Sequence, residues 1–222
     1  MTRVTLAGDD LSGYAKAEPA ASVRLLLPDG ELVLPLWGGN NFVLPSGERP
    51  TMRTFTPRHY RPDVNELDID IVLHPGGSAA TWATDLAVDA EVAVSGPGGG
   101  YEADPGAEAF LLIGDESAIP AICQLLESLP DVPIVVHIEI TEPAARVGLH
   151  REVAEYWHVQ EKGAPSGDSL VSAIESAGLT EGVRIWGAGE AAAMQRIRKH
   201  LFGNRDLPRS QAHIRGYWKS GR

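Results

Sequence analysis

Chemistry is easiest to place at Arg53-Thr54-Phe55-Thr56-Pro57-Arg58. An arginine here can pair a phosphate bidentately, an aromatic ring can lie against a second ring system, and a small hydroxyl can sit beside that ring's edge. Together these residue types form the floor of a site for a dinucleotide. An ordinary barrel strand with two solvated arginines and one core Phe would carry the same letters. A second segment follows one strand later. His74-Pro75-Gly76-Gly77-Ser78-Ala79-Ala80-Thr81-Trp82-Ala83 is a glycine-rich loop opening a short helix. The N–H groups freed at such a helix start, with Ser78 as a cap, can hold a pyrophosphate without a cationic side chain. His74 reads as a packing or capping residue rather than an acid-base catalyst.

The elements that position these residues change character midway. Up to about Pro97, β-like runs are separated by Gly, Pro, Asp and Asn: Val23–Leu27, Leu32–Leu36, Phe42–Leu44, Met52–Pro57, Leu67–Leu73 and Val92–Val94. Their spacing predicts a small antiparallel barrel. In one of them Leu67, Ile69, Ile71 and Leu73 alternate with Asp68, Asp70 and Val72, giving a core face and a mostly acidic outer face. Ser95-Gly96-Pro97-Gly98-Gly99-Gly100-Tyr101 reads as a loop closing the barrel, because Gly and Pro weaken strands. The expected domains are 1–103 and 104–222.

After Ala103 strands and helices alternate: strand Phe110–Ile113, helix Ser117–Leu129, strand Ile134–Ile140, strand Tyr156–Val159, helix Asp168–Ala177 with Asp168 as N-cap, strand Val183–Trp186 and helix Glu190–Phe202. This pattern predicts a parallel sheet covered by helices, with ligands at the carboxyl ends of its strands. Two loops fall at those ends. Gly114-Asp115-Glu116-Ser117-Ala118-Ile119-Pro120-Ala121 offers a sharp turn, a capping hydroxyl and a proline in the first helical turn. Trp186-Gly187-Ala188-Gly189-Glu190 opens the last helix, and a tight turn with Glu190 favouring the helix N-terminus explains it equally well. The first of these loops lacks Gly-x-Gly-x-x-Gly, so composition alone does not establish a nicotinamide site. Glu139, ending its strand, is either a ribose-hydroxyl ligand, which would favour NADH, or a surface acid.

The 222 residues carry a net charge of −11, which disfavours a general nucleic-acid or acidic-membrane binder. That charge is uneven: Gln195–Arg222 is +7 and the remainder −18. The basic end fits a local anion site or a solvated helix face. One cysteine, Cys123, leaves no internal disulfide and no cysteine metal cage. With no charged-then-apolar leader and no apolar run near 18 residues, the expected location is cytoplasmic, without stable membrane insertion.

Five ordered segments, spread over residues 3–218, resemble the siderophore-interacting proteins, a branch of the ferredoxin-reductase-like flavoenzymes. Arg53–Arg58 is similar to that family's Arg-x-Tyr-Thr-x-Arg, with Phe55 in place of Tyr. His74–Ala83 resembles its second flavin loop, Gly114–Ala121 its Gly-Asp-Glu-Thr/Ser-Ala-x-Pro-Ala, Gly187–Glu190 its Ala-Gly-Glu, and Gly216-Tyr217-Trp218-Lys219 its C-terminal segment. A Gly-Pro-Gly-Gly stretch near the flavin is also a family feature, matched at Gly96–Gly99. Relatives carry a further strand ahead of Thr2, so the barrel is expected to lack a strand, or the start codon to be misplaced. Phe55 should still stack on the flavin but loses a phenol hydrogen bond, about 1 kcal/mol.

The resemblance implies a two-domain ferredoxin-reductase-like fold, an antiparallel β-barrel flavin domain followed by an α/β parallel-sheet nucleotide-binding domain. The implied activity is FAD-dependent reduction of ferric siderophores, with electrons from NADH, NADPH or ferredoxin. Arg53 would pair the flavin phosphate, with Thr54 and Phe55 beside it and Thr56 near the reactive ring nitrogen. His74, Gly76, Gly77, Ser78, Ala79, Thr81 and Trp82 would line the pyrophosphate loop. Asp115, Glu116, Ser117, Gly189 and Glu190 would shape the nicotinamide pocket. Lys219, Arg215 and Trp218 would meet the anionic ferric chelate. A general NAD(P)H-flavin oxidoreductase and a flavin-free siderophore-binding module are the other readings.

Overall fold

The computed structural model describes residues 1–14, 17–28, 30–74 and 76–221, so Pro75 of the glycine-rich loop and Arg222 of the basic tail lie outside the described residues. The chain forms two compact units, Met1–Tyr101 and Glu102–Arg222.

The first unit is antiparallel. One sheet orders β1 (Thr2–Ala7), β7 (Glu66–Ile71) and β6 (Pro57–Arg61), with β7 central; a second orders β5 (Met52–Phe55), β2 (Ser22–Leu26) and β8 (Ala93–Gly98), with β2 central; β3 (Leu36–Trp37) and β4 (Phe42–Val43) make a separate hairpin. Val4 and Leu6, Val23 and Leu25, and Leu67, Ile69 and Ile71 come from both sheets and bury together in one apolar core. Period-two alternation places them there. Helix α1 (Ser78–Asp85) adds Ala79, Trp82 and Ala83 to that core.

Several sequence expectations change here. The first strand, β1, and the separate strand β6 were not anticipated. The expected Leu32–Leu36 strand shrinks to the exposed hairpin strand β3. Most of the expected loop at Ser95–Tyr101 is strand: β8 runs through Pro97 and pairs Gly98 with Ser22. It is tolerated because β8 is an edge strand, where proline's missing N–H breaks no ladder on the open side, and because its register against β2 shifts nearby. The acidic outer face of β7 is not simply solvated either. Asp68 is 3% exposed beneath Arg61, Arg3 and Thr5, and Asp70 takes a bidentate pair from Arg3. The hydrogen bonds from Arg61, with Thr5 and Arg3, hold the Asp68 carboxyl well below its usual range despite burial.

The second unit is a five-stranded parallel sheet in the order β11 (Ala154–Val159), β10 (Ile134–Ile140), β9 (Ala109–Asp115), β12 (Val183–Glu190), β13 (Ala212–Trp218). Helices α3 (Asp168–Ser176) and α4 (Ala191–Lys199) cover one face, where Leu170, Ile174, Met194 and Ile197 meet Leu111, Ile113 and Ile185. Helix α2 (Ile119–Ser128) lies on the other, its Ile122 against the Gly114 side of β9. Pro120 sits in the first turn of α2, where no N–H is missed. The predicted loop Trp186–Glu190 is the end of β12 itself. A Cβ on Gly187 would strike Ile113 at 2.6 Å and Ile214 at 3.0 Å, so glycine lets the strand lie under that packing. The predicted last helix gives way at His200 to a π-turn over His200–Asn204.

Candidate functional site

In the first unit the Arg53 motif is a corner. Strand β5 pairs with β2 (Leu25↔Arg53, Val23↔Phe55), whereas β6 pairs with β7 (Pro57↔Ile69), so the chain changes sheets at Thr56. Arg53 and Thr54 are exposed; among the described residues Arg53 bonds only its neighbour's carbonyl, Met52 O, at 2.9 Å. Phe55 is half-buried against the apolar core, Thr56 is 7% exposed, and Arg58 is buried. The corner therefore leaves one cationic side chain free to meet a ligand and fixes the aromatic and hydroxyl beside it.

The glycine-rich loop is placed as the pattern requires, with one correction. The α1 N-cap is Gly77, not Ser78, which is the first helical residue and is exposed. No side chain caps the helix and no acid lies in its first turn, so its leading N–H groups stay open to an anion. The His74 ring lies over Gly77, where a Cβ would collide with it. Beside it is an open cavity of about 420 Å³ lined by Leu73, His74, Gly76, Ala80, Thr81, Thr84 and Asp85. Ala79 and Trp82 face the core instead. This cradle, with Gly76, Gly77 and the open helix start, fits a pyrophosphate.

The second unit spends its motif residues differently. In order of appearance its strands are added outward from β9 to β11 and then from β12 to β13, so the switch of direction lies between β9 and β12. Asp115 fills that point. Its Oδ1 accepts from the Ser117 backbone N–H (2.9 Å) and hydroxyl (2.5 Å), and its Oδ2 accepts from the Glu190 backbone N–H (2.8 Å) and the Trp218 indole N–H (2.8 Å). Burial pushes this carboxyl up; the bonds from Ser117, Trp218 and Glu190 oppose that without overcoming it. Ser117 is thus a donor to the cap, not the cap.

The neighbouring acids are spent too. One Glu116 oxygen takes the Thr141 N–H at 2.6 Å and hydroxyl at 2.7 Å. Glu190 is the α4 N-cap, accepting from Ala193 N at 2.9 Å and from Ser220 N at 3.3 Å. Burial raises its carboxyl, but backbone N–H groups of Ala193, Ser220 and Ala192, with Arg196, outweigh burial and leave it low. A Cβ on Gly189 would reach Asp115 Oδ2 at 2.6 Å, so glycine leaves room for that acid.

Glu139 is not a surface acid. It is 4% exposed and receives Gly167 N (2.5 Å), Ser169 N (3.2 Å) and Ser169 Oγ (2.5 Å). Gly167, not Asp168, precedes α3 as its N-cap, and Glu139 supplies the carboxylate a cap would have given. Asp168, one residue into the helix, pairs with Arg196 instead.

At the chain's end the motif is strand β13 rather than a segment after one. Arg215 is exposed, and its Nε donates to His213 Nε2 at 2.7 Å; Lys219 is exposed; Trp218 reaches Asp115.

Family comparison decides what these two units belong to. Residues 1–101 match the siderophore-interacting FAD-binding domain, and residues 107–221 match the siderophore-interacting protein model. The chain belongs to the siderophore-interacting protein family. An uncharacterised protein of Mycobacterium tuberculosis is 34% identical over 243 residues, covering 100% of this chain and 86% of its own length. The ferric vibriobactin reductase of Vibrio cholerae is 29% identical over 235 residues, covering 100% and 85%. Among solved structures, a siderophore utilization protein from T. fusca superposes with a TM-score of 0.82 at 28% identity, covering 99% of this chain and 87% of that one. The ferredoxin reductase of carbazole 1,9a-dioxygenase shares the fold at 16% identity, with a TM-score of 0.67 over 97% of this chain and 64% of that one. The architecture of this siderophore-interacting protein is thus ferredoxin-reductase-like. No described helix is long and apolar enough to cross a membrane.

Proposed function

We propose that the chain is an FAD-dependent reductase of ferric siderophores. The reading rests above all on one observation: the unit matching the FAD-binding domain keeps Arg53 exposed and, separately, leaves the start of α1 uncapped beside a cavity of about 420 Å³. Arg53 pairs a flavin phosphate, the open N–H groups at Ser78 and Ala79 hold the pyrophosphate, and Phe55 and Thr56 bound the ring. FAD, when bound, would supply a two-electron acceptor for reduced nicotinamide that can give electrons up singly, so one NAD(P)H would serve two Fe(III) chelates and leave NAD(P)⁺, a proton and two Fe(II). Exposed Arg215 and Lys219 attract the anionic chelate, within a C-terminal stretch of +7. Iron leaves because oxygen ligands that suit Fe(III) hold Fe(II) weakly.

An anaerobic absorbance spectrum of the purified protein tests this. Flavin bands should bleach with NADH or NADPH and return on adding a ferric siderophore, with Fe(II) trapped. A protein that stays colourless after FAD is supplied, yet binds the ferric chelate, would replace the reductase by a binding module. Bleaching with no response to the chelate would leave a general flavin reductase.

A further inference from the structure

In a sheet of this order the adenosine half of a dinucleotide runs from the switch point toward the second strand. The acid closing that strand receives the ribose 2′-hydroxyl of NADH, and an arginine nearby accepts the 2′-phosphate of NADPH. Here the second strand is β10 and its acid is Glu139, both of whose oxygens are taken by the start of α3. Thr141, the next polar residue, has its N–H and hydroxyl engaged by Glu116. The usual hydroxyl reader of an NADH site is therefore spent.

The residue beyond them is of the other kind. The chain leaves β10 through a 3-10 turn at Pro143–Ala145, and Arg146 ends that turn. Its guanidinium carbon lies 5.4 Å from the ring centroid of Trp157 on β11. Trp157 is level with Ile138, whose alternation on β10 opposite to Glu139 puts both on the α2 side of the sheet. That is the side from which the Asp115–Ala118 turn leads into α2. The Arg146 side chain is 56% exposed, and its acid contact is Glu155 at 3.9 Å, itself 40% exposed. At that distance the pair is too long for a hydrogen bond, so the half-exposed guanidinium keeps N–H groups for a further acceptor while it lies over the indole. Glu142, at the head of the turn, is exposed. A planar guanidinium held on a ring and open on its far side is built for bidentate phosphate.

We propose that Arg146, held over Trp157, is the subsite for the 2′-phosphate of the nicotinamide donor, so that NADPH is preferred to NADH. The proposal rests on the reductase reading for its biological role, but its test does not. Adenosine 2′,5′-bisphosphate and 5′-AMP would be titrated into the full chain by calorimetry, with Arg146→Ala, Arg146→Lys and Glu155→Gln beside the parent. The bisphosphate should bind roughly ten- to a hundredfold more tightly than AMP. Arg146→Ala should abolish that difference without weakening AMP, Arg146→Lys should restore part of it, and Glu155→Gln should enlarge it. Equal affinity for the two nucleotides in the parent, or a preference that survives Arg146→Ala, would overturn the subsite. If the bisphosphate preference holds while neither NADPH nor NADH bleaches the flavin, the subsite stands and the reductase reading fails.

Discussion

The two units treat similar sequence signals in opposite ways. In the first, the motif residues that could meet an anion remain outward: among the described residues Arg53 bonds only a neighbouring carbonyl, and α1 begins with neither a side-chain cap nor an acid. In the second, each motif carboxylate bends inward onto backbone N–H groups: Asp115 onto Ser117 and Glu190, Glu116 onto Thr141, Glu190 onto Ala193. The difference teaches that a loop motif marks a place where the backbone must be fixed near a ligand. Whether its side chains touch the ligand or hold the loop is a separate matter. A helix start left bare can receive an anion, and a strand-end carboxylate satisfied by backbone N–H groups holds its own loop.

The contrast breaks most visibly at Asp115 and Arg53. Asp115→Ala removes the acceptor for three N–H groups, two of them backbone donors: Glu190 N at the buried end of β12 and Ser117 N in the half-buried turn after β9. Unsatisfied buried donors make this cost about 3 kcal/mol or more. It should appear as a lower urea midpoint for the second unit, reported by Trp157, Trp186 and Trp218. Arg53→Ala should shift the midpoint by less than about 0.5 kcal/mol, since Arg53 is exposed, while weakening FAD roughly ten- to a hundredfold. If Arg53→Ala destabilised the apoprotein as much as Asp115→Ala, or kept FAD affinity unchanged, the division into ligand and scaffold residues would fail.

A smaller change sharpens the same point. Gly189→Ala adds a Cβ at 2.6 Å from Asp115 Oδ2 and 3.0 Å from its Cγ. Because that carboxylate is held by four hydrogen bonds, it cannot move aside freely, and the variant should lose about 1–3 kcal/mol. In the Asp115→Ala background the part of that cost due to the carboxylate should disappear while the strain of a side chain at φ +156° remains, a partial non-additivity that a double-mutant cycle measures directly. Additive losses would mean that Gly189 serves the backbone alone.

Much of the fold was legible because its signals are periodic. Leu67, Ile69 and Ile71 alternate, Ile134–Ile140 is a β-branched run, and strands alternate with helices after Ala103; the strands over Glu66–Ile71 and Ile134–Ile140 formed there, and the alternation of strands and helices held although several ends moved. What the letters hid depends on partners distant in sequence. Glu139 reads as a strand-end acid until the start of α3, 28 residues on, takes both oxygens. Trp218 reads as a substrate residue until its indole reaches Asp115 across 103 residues. Asp68 reads as a solvated outer acid until Arg3 and Arg61, from the strands on either side, close over it. Gly-Pro-Gly reads as a loop because the rule against proline in strands is relaxed at an edge, and edge position is a property of the sheet. In the candidate site the Arg53 corner and the α1 loop could be read from residue types. The roles of Asp115, Glu116 and Glu190 could not, since a carboxylate at a strand end suits a ligand and a backbone N–H equally.

The least forceful of these effects concerns a pair that no motif marked. His137 Nδ1 lies 3.0 Å from His158 Nε2, with the rings nearly parallel, and Tyr156 stacks on the other side of His137. At that distance one nitrogen must donate and the other accept, so the pair holds only if one of the facing nitrogens lacks a proton. Burial, then the His158 charge, lowers His137 to about 4. A histidine whose folded pKa is depressed favours the folded state while neutral. That stability is complete above the unfolded value near 6.5 and is lost as pH falls toward about 4. Half-burial lets solvent screen the effect, so the loss should be modest. His137→Leu removes the titrating group, and its urea midpoint should therefore fall less between pH 7 and pH 4.5 than that of the parent. Identical pH slopes would show that the histidine pair contributes nothing to the second unit's acid sensitivity, and it would drop out of the comparison.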